Sequence, residues 1–395
     1  MKASRLGNYH GLRPTKVPLG SEPHITIEPS MTCNLRCLYC YNENRDYVKP
    51  ISVVKSEIDF AASQRKLESV SILGGEPTLY PQLSELISYV KDKGLICQVL
   101  TNGIILAADK GNGLLDSMIQ SGLDRIVLHI DSSRGNTPDD LEKFCRVLFS
   151  KFEARRLTFA LAVTVDHENK DVVPELMRRF AGYRYFDGIL VTQARDMKNV
   201  GHATDHPGPD LGEIASRIES DLSVRAASYI PSSLDDEEVC WLMYFYYFNV
   251  NTGRTFYLSP TFSRLFRRLY RLVERKEFFA RTLDPRYSRW SFAVTALAEV
   301  SISPSRFGSL IRLLKYSGNS RSLRFHYILL QSGPSYNVEK QMTQICYHCP
   351  DATVRNGKIT PVCIADQINP LGSDGNETKI DRELYKTVYE HLEQL

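Results

Sequence analysis

Between about residues 24 and 200, short apolar runs alternate regularly with longer segments of helical spacing. No other feature limits so strongly what the chain can fold into. The runs at 24–28, 69–73, 96–100, 125–130, 158–165 and 188–191 predict strands, and 52–66, 82–93, 113–121, 141–152 and 172–180 predict helices. Strands that are apolar without strict alternation and are separated by helices belong in a parallel sheet with right-handed crossovers. Six such units predict an α/β fold, a partial (β/α)6 barrel, with its functional residues at the C-terminal ends of the strands.

Beyond this unit the pattern changes. Residues 200–212, GHATDHPGPDLGE, read as a connection. Residues 213–330 read as mostly helical, with an aromatic run, WLMYFYYF, at 241–248 and an arginine-rich stretch from Arg264 to Arg289. A Pro/Gly loop at 332–337 follows, and a helical tail is expected from Asp381. The 395 residues are 43% hydrophobic and 24% charged, which excludes global disorder. No run approaches the ~18 apolar residues of a membrane span. The first 20 residues lack the apolar core of a signal peptide, so the expected location is the cytoplasm. A net charge of +3 gives no reason to expect nucleic acid as a partner.

The nine cysteines are unevenly placed. In a chain without an export signal an odd count does not suggest a disulfide framework; clusters read as metal sites and single cysteines (Cys97, Cys145, Cys240) as core. Cys33, Cys37 and Cys40 fall within IEPSMTCNLRCLYCYNEN. Three thiolates on one loop suit an iron–sulfur cluster or zinc. On a four-iron cubane they leave one iron open, as a catalytic metal site requires. Spacing alone also allows a zinc loop with a distant fourth ligand, or free thiols. The loop follows the first predicted strand, with Tyr39 just before its third cysteine. Gly74-Gly75-Glu76-Pro77 follows the second strand, Thr101-Asn102-Gly103 the third and Asp131-Ser132 the fourth. All would converge on one rim.

On these residues the chain, over roughly 22–200, resembles the radical S-adenosylmethionine (SAM) superfamily. The resemblance implies that Cys33, Cys37 and Cys40 hold a [4Fe–4S] cluster whose fourth iron is chelated by SAM. It places Tyr39 at the adenine, and Gly74, Gly75, Glu76 and Pro77 at the SAM amino group. Asp131 or Ser132 would meet the ribose, and Asn102 would support the pocket. Val163 and Thr164 would border the adenine, and Gln193 and Arg195 would reach the SAM carboxylate or the substrate. It further implies reductive cleavage of SAM to a 5′-deoxyadenosyl radical that abstracts hydrogen from an unactivated C–H bond, with flavodoxin or ferredoxin as electron donor. No acid/base triad is expected.

A second cysteine group lies in QIC346YHC349PDATVRNGKITPVC363IAD. Asn356-Gly357 is a hairpin signal that would return Cys363 toward the Cys346–Cys349 pair. This resembles the SPASM or twitch auxiliary-cluster extensions of radical SAM enzymes, although the spacing after the glycine is one residue longer and the full seven-cysteine set is absent. The resemblance implies at most one auxiliary iron–sulfur cluster on Cys346, Cys349 and Cys363. Cys240, His348, substrate or water are open as fourth ligand, and zinc or no metal are competing readings. The expected organisation is a core barrel at 22–200, a helical, aromatic- and Arg-rich region at 201–335, and an extension with a second metal site at 336–395.

The aromatic run could line a substrate cavity or fill a core. The basic amphipathic helix could meet a membrane surface, an acidic leader peptide or a phosphorylated substrate, or present a solvated face. The substrate is open among a peptide, a lipid-like chain and a small natural-product intermediate. A non-catalytic iron–sulfur or zinc electron-transfer protein that keeps the barrel is the rival reading.

Overall fold

The computed structural model describes residues 20–369 except 43–46, 109–110, 131–137, 195–207, 232–238, 276–288, 316–321, 338–341, 345 and 347–348, together with 12, 14, 15, 17 and 18. The expected helical tail from Asp381 lies outside the described residues.

The barrel unit runs β1 (His24–Ser30), α1 (Ile51–Gln64), β2 (Ser69–Gly74), α2 (Leu83–Asp92), β3 (Ile96–Thr101), α3 (Ile104–Ala107), α4 (Gly111–Gln120), β4 (Arg125–Ile130), α5 (Pro138–Ala154), β5 (Thr158–Val165), α6 (Val172–Phe180) and β6 (Phe186–Gln193). Neighbours from β1 to β6 pair in parallel, in chain order. Alternate strand residues such as Ile27, Ile72, Val99, Leu128, Leu161 and Ile189 are buried in the core shared with the helices. Burial on both faces is what makes these strands read as unbroken apolar runs.

The following region carries α7 (Leu211–Leu222), β7 (Ser228–Pro231), β8 (Val239–Asn249), β9 (Thr255–Tyr257), α8 (Pro260–Glu274), α9 (Arg289–Ile302), α10 (Phe307–Leu314) and β10 (Leu323–Gln331). The aromatic run is thus a strand, a departure from the helical reading of this region. β10 adds to β6 in parallel, β8 pairs antiparallel with β10, and β7 lies beyond it, so the barrel sheet continues past its sixth strand. The two faces of β8 pack separately. Leu242, Tyr244, Tyr246 and Phe248 join the main core. Trp241, Met243, Phe245 and Tyr247 pack in a second cluster with Phe262, Leu310 and Leu329. A run apolar on both faces has no periodicity to separate strand from helix, which is why the sequence did not show it.

A short ladder, β11 (Ser335–Asn337) and β12 (Met342–Gln344), leads to the hairpin β13 (Ala352–Arg355) and β14 (Lys358–Pro361). Asn356 and Gly357 turn it with φ of 49° and 72°, the left-handed pair a two-residue hairpin needs. The hairpin docks against β1, the free edge of the barrel sheet. Arg355 donates to both carboxylate oxygens of Glu28, at 2.8 and 2.9 Å, and also to Asp366, all buried. Arg65 donates to the carbonyls of His24 (2.9 Å) and Cys349 (3.1 Å). Lys49, paired with Glu57 at 2.7 Å, lies 3.5 Å from the Val354 carbonyl.

Removing one partner of a buried ion pair leaves the other charge uncompensated, at a cost of ~3–5 kcal/mol. Arg355→Met is therefore expected to lower stability by about that amount, read as a fall in the urea midpoint. An unchanged midpoint would show that the hairpin does not depend on this anchor.

Candidate active site at the strand ends

The C-terminal ends of the barrel strands surround a cavity of ≈ 270 Å³. Its nearest wall is the loop after β1. Cys33, Cys37 and Cys40 line it as half-buried thiols outside any disulfide. The root of this loop is held by backbone bonds across to the end of β2: Gly75 N–H donates to the Ser30 carbonyl (2.7 Å) and Glu76 N–H to the Thr32 carbonyl (2.8 Å). Both glycines are required there. Gly74 has a φ of 115°, and a Cβ on it would stand 2.2 Å from the Ser30 carbonyl oxygen; a Cβ on Gly75 would stand 2.1 Å from that of Thr32. On the far side of the loop, Tyr41 donates to Glu28 (3.2 Å) and to the Gly74 carbonyl (3.3 Å), and the Asn42 amide donates to the Met31 carbonyl (2.9 Å).

Glu76 is buried, and its carboxylate joins the ends of β2 and β3. Its Oε1 accepts from Thr78 N–H (3.1 Å), Thr78 Oγ1 (2.5 Å) and Thr101 Oγ1 (2.6 Å), and Oε2 accepts from Asn102 N–H (2.7 Å). Asn102 in turn donates to Asn34 (2.6 Å) on the cysteine loop and lies 4.0 Å from Cys33 Sγ. A carboxylate has about four acceptor positions; Oε2, with one bond made, keeps capacity for a further donor.

The structure brings most of the other expected residues to the same cavity. Tyr39, Gly74, Gly75, Asn102, Thr164 and Gln193 line it. Burial, then the charges of Asp166 and Glu168, push the Tyr39 phenol up. Gln193 donates to the Pro209 carbonyl at 2.6 Å. Two expected residues do not line the cavity. Pro77 starts a short 3-10 turn and is buried there. Val163 faces the helices, because successive strand residues point to opposite sides, so Thr164 alone reaches the cavity. Asp131, Ser132 and Arg195 lie outside the described residues.

Other lining residues were missed in the sequence. Asp166, at the end of β5, followed the same strand-end rule and was findable; its Oδ1 accepts from the backbone of Glu168 and Asn169. His129 on β4 and Thr192 on β6 also face the cavity. Gln331, from β10, donates to Thr192 Oγ1 (3.0 Å), while its buried Oε1 has no hydrogen-bond partner. No local signal pointed to Gln331 or Trp241, since their strands reach the barrel only through long-range pairing.

The cavity is also lined by Trp241, Ser332, Cys346, Cys349, Asp351 and Cys363. Contrary to the expectation of no disulfide, Cys240 and Cys346 are joined, with Cα atoms 5.5 Å apart. The pairing of β8 with β10 places Cys240 beside the post-β12 segment, and Trp241 Nε1 donates to Cys346 Sγ at 3.2 Å. Cys349 and Cys363 are free. Burial, then Cys363 and Asp351, push the Cys349 thiol well up, and burial, then Asp351, push Cys363 up to about 12. His348, an alternative ligand, lies outside the described residues. Among the described residues no three His, Cys, Asp or Glu side chains are gathered tightly enough to hold a metal ion on their own. The first cysteine group fits a cluster by its donor chemistry: three thiols of one loop, none in a disulfide, line a single cavity.

Residues 27–180 match the Radical SAM superfamily model, and this segment is a radical SAM domain. Its cofactors are those of the superfamily, a [4Fe–4S] cluster and SAM. Among curated proteins, a putative glycyl-radical enzyme activating enzyme of Methanocaldococcus jannaschii is 35% identical over 95 residues, covering 21% of this chain and 35% of that protein. A GTP 3',8-cyclase of Chlorobaculum tepidum is 30% identical over 129 residues, 31% of this chain and 36% of its own length. An S-adenosylmethionine-dependent nucleotide dehydratase of Flammeovirga pacifica is 34% identical over 122 residues, 29% and 40% of the two chains. The match thus spans well under half of each relative. Among solved structures, SuiB of Streptococcus suis bound to its precursor peptide SuiA aligns with a TM-score of 0.40 and 20% identity, over 51% of this chain and 46% of that one.

Gly75→Ala forces a Cβ into the backbone of the cysteine-loop root. The expected outcome is a folded protein with unchanged far-UV circular dichroism that takes up less iron at the first site and binds SAM more weakly, by equilibrium dialysis. Glu76→Gln places an NH2 donor against donors on one side of its network, an expected loss of ~1–3 kcal/mol of stability along with weaker SAM binding. Unchanged SAM affinity in this variant would confine Glu76 to holding the strand ends.

Proposed function

We propose that this protein is a radical SAM enzyme that takes a hydrogen atom from an unactivated C–H bond of a substrate held between its two cysteine groups. The observation that supports this reading is a single cavity lined by Cys33, Cys37 and Cys40 together with Gly74, Gly75 and Glu76. When bound, the [4Fe–4S] cluster and SAM supply one-electron reductive cleavage of the sulfonium and radical hydrogen abstraction.

The chain's own residues bind, orient and exclude water. Cys33, Cys37 and Cys40 would hold the [4Fe–4S] cluster, and three thiolates would leave it open to SAM. Gly74 and Gly75 allow close approach of the backbone, and Glu76 Oε2 would accept from an N–H of the SAM amino group, a hydrogen bond strengthened by the carboxylate's charge. Tyr39 and Thr164 border the adenine, and Asn102 steadies both Glu76 and the cysteine loop. On sequence grounds alone, Asp131 or Ser132 takes the ribose, and Arg195 the carboxylate or substrate. Leu100, Leu190 and Trp241 line the remainder of the cavity and keep it dry. Gln331 Oε1 is an acceptor for a donor group on the substrate. A substrate with an apolar body and a hydrogen-bond donor suits this lining; peptides, lipid-like chains and natural-product intermediates share that chemistry. A reduced flavodoxin or ferredoxin fits the need for single electrons.

The second group is read as an auxiliary iron–sulfur site on Cys346, Cys349 and Cys363, with Cys240 as the fourth thiolate. The adjacency of Cys240 and Cys346, with Cys349 and Cys363 lining the same cavity as Cys346, supports this reading. Reduction of the disulfide would free both sulfurs as ligands.

Anaerobic reconstitution under reducing conditions tests both sites. With SAM and dithionite the wild type is expected to form 5′-deoxyadenosine, and Cys33→Ala, Cys37→Ala or Cys40→Ala to form none. Wild-type protein should hold about eight irons, and the triple variant of the first loop about four. Cys240→Ala should lose the second set of irons and keep SAM cleavage. Zinc in place of that iron, or an iron content untouched by Cys240→Ala, would overturn the auxiliary assignment and leave the first site standing.

A further inference from the structure

Helices α8, α9 and α10 follow one another and pack in chain order, α8 on α9 and α9 on α10. Each turns apolar side chains outward. Leu265, Leu269, Leu272 and Val273 are exposed on α8, Val294 and Leu297 on α9, and Phe307 and Ile311 on α10. The exposure is substantial: 76% for Leu272, 73% for Val273, 67% for Leu297 and 56% for Phe307. More than half of the large exposed apolar side chains among the described residues lie in this one segment. Patches of this kind mark a surface that meets something.

Among the described residues the charge beside the patch is mostly positive. At about 100° per residue, Leu265, Leu269, Leu272 and Val273 occupy one arc of α8, and Arg264, Arg268 and Arg271 occupy the arc next to it. Arg275 caps the helix, and Arg312 is exposed on α10. The acidic residues of these helices are Glu274 and Glu299. Glu299 is buried and paired with Arg306, so Glu274 is the one carboxylate exposed there.

We infer that this three-helix face docks on an anionic lipid surface, its apolar arc entering the acyl boundary and its arginines meeting the headgroups. Adjacent apolar and basic arcs match the order of layers at a bilayer surface. An acidic peptide would satisfy the arginines and leave apolar side chains on three helices in water. A second copy of the chain would bring two arginine arcs toward each other. Among the described residues no helix is long and apolar enough to cross a membrane, so the contact is one of lying on the surface. The inference does not rest on the chemistry of the strand-end site.

The test is co-sedimentation of the full chain with vesicles of phosphatidylcholine alone and of phosphatidylcholine mixed with phosphatidylserine, at low and raised salt. Binding is expected to the mixed vesicles and to weaken with salt. Arg268→Ser/Arg275→Ser should lower it roughly fivefold per arginine, and Leu269→Asp/Leu272→Asp by at least ~tenfold. These side chains are exposed, so thermal midpoints should match wild type; if the leucine variant does not fold, the arginine variant carries the test. The inference is overturned if wild type fails to sediment with mixed vesicles, or if it binds phosphatidylcholine equally well. Binding that survives either variant overturns it too. So does a wild-type dimer in light scattering that the leucine variant dissolves while neither protein sediments.

Discussion

The tie between the end of β2 and the root of the cysteine loop is what the rest of the site depends on. Gly75 and Glu76 continue the strand pairing past β2 by donating to Ser30 and Thr32, and Cys33 follows directly. Backbone approaches this close exclude any side chain at Gly74 or Gly75. The Glu76 carboxylate then gathers donors from Thr78, Thr101 and Asn102. A buried carboxylate is tolerated only when it is hydrogen-bonded or paired, so the position of this one group sets the spacing of the β2 and β3 ends. The thiol loop therefore rests on a rigid platform.

A second set of constraints comes from the end of the chain. Glu28 accepts from Arg355 of the C-terminal hairpin and from Tyr41, next to Cys40. One buried carboxylate on β1 thus touches both the loop that carries the first thiols and the hairpin that joins Cys349 to Cys363. Arg65 adds a bond to the Cys349 carbonyl. The two cysteine groups line one cavity, and both are tied to the same edge of the barrel.

The region between the barrel and the hairpin divides its labour by face. β8 is buried on both sides, completing the main core with one and a second core with the other. α8 and α9 bury one side and expose apolar residues on the other. The arginines that made this segment conspicuous as sequence are partly structural: Arg267 reaches Thr15. Others, such as Arg268, stand exposed beside the apolar arc.

What the sequence determined by itself was local. The six parallel strands, their helices, the Asn356-Gly357 hairpin and the strand-end polar groups were legible, because each depends on periodicity or on turn chemistry within a few residues. The three-cysteine loop, Gly74, Gly75 and Glu76 were legible for the same reason. Only the tertiary structure decided that WLMYFYYF is a strand and that β10 becomes a seventh parallel neighbour. It alone placed Trp241 and Gln331 in the cavity and Cys240 against Cys346. These are contacts between segments far apart in the chain. Nothing within a short window records them, because they arise from which buried surfaces find each other once the barrel sheet has an open edge to extend.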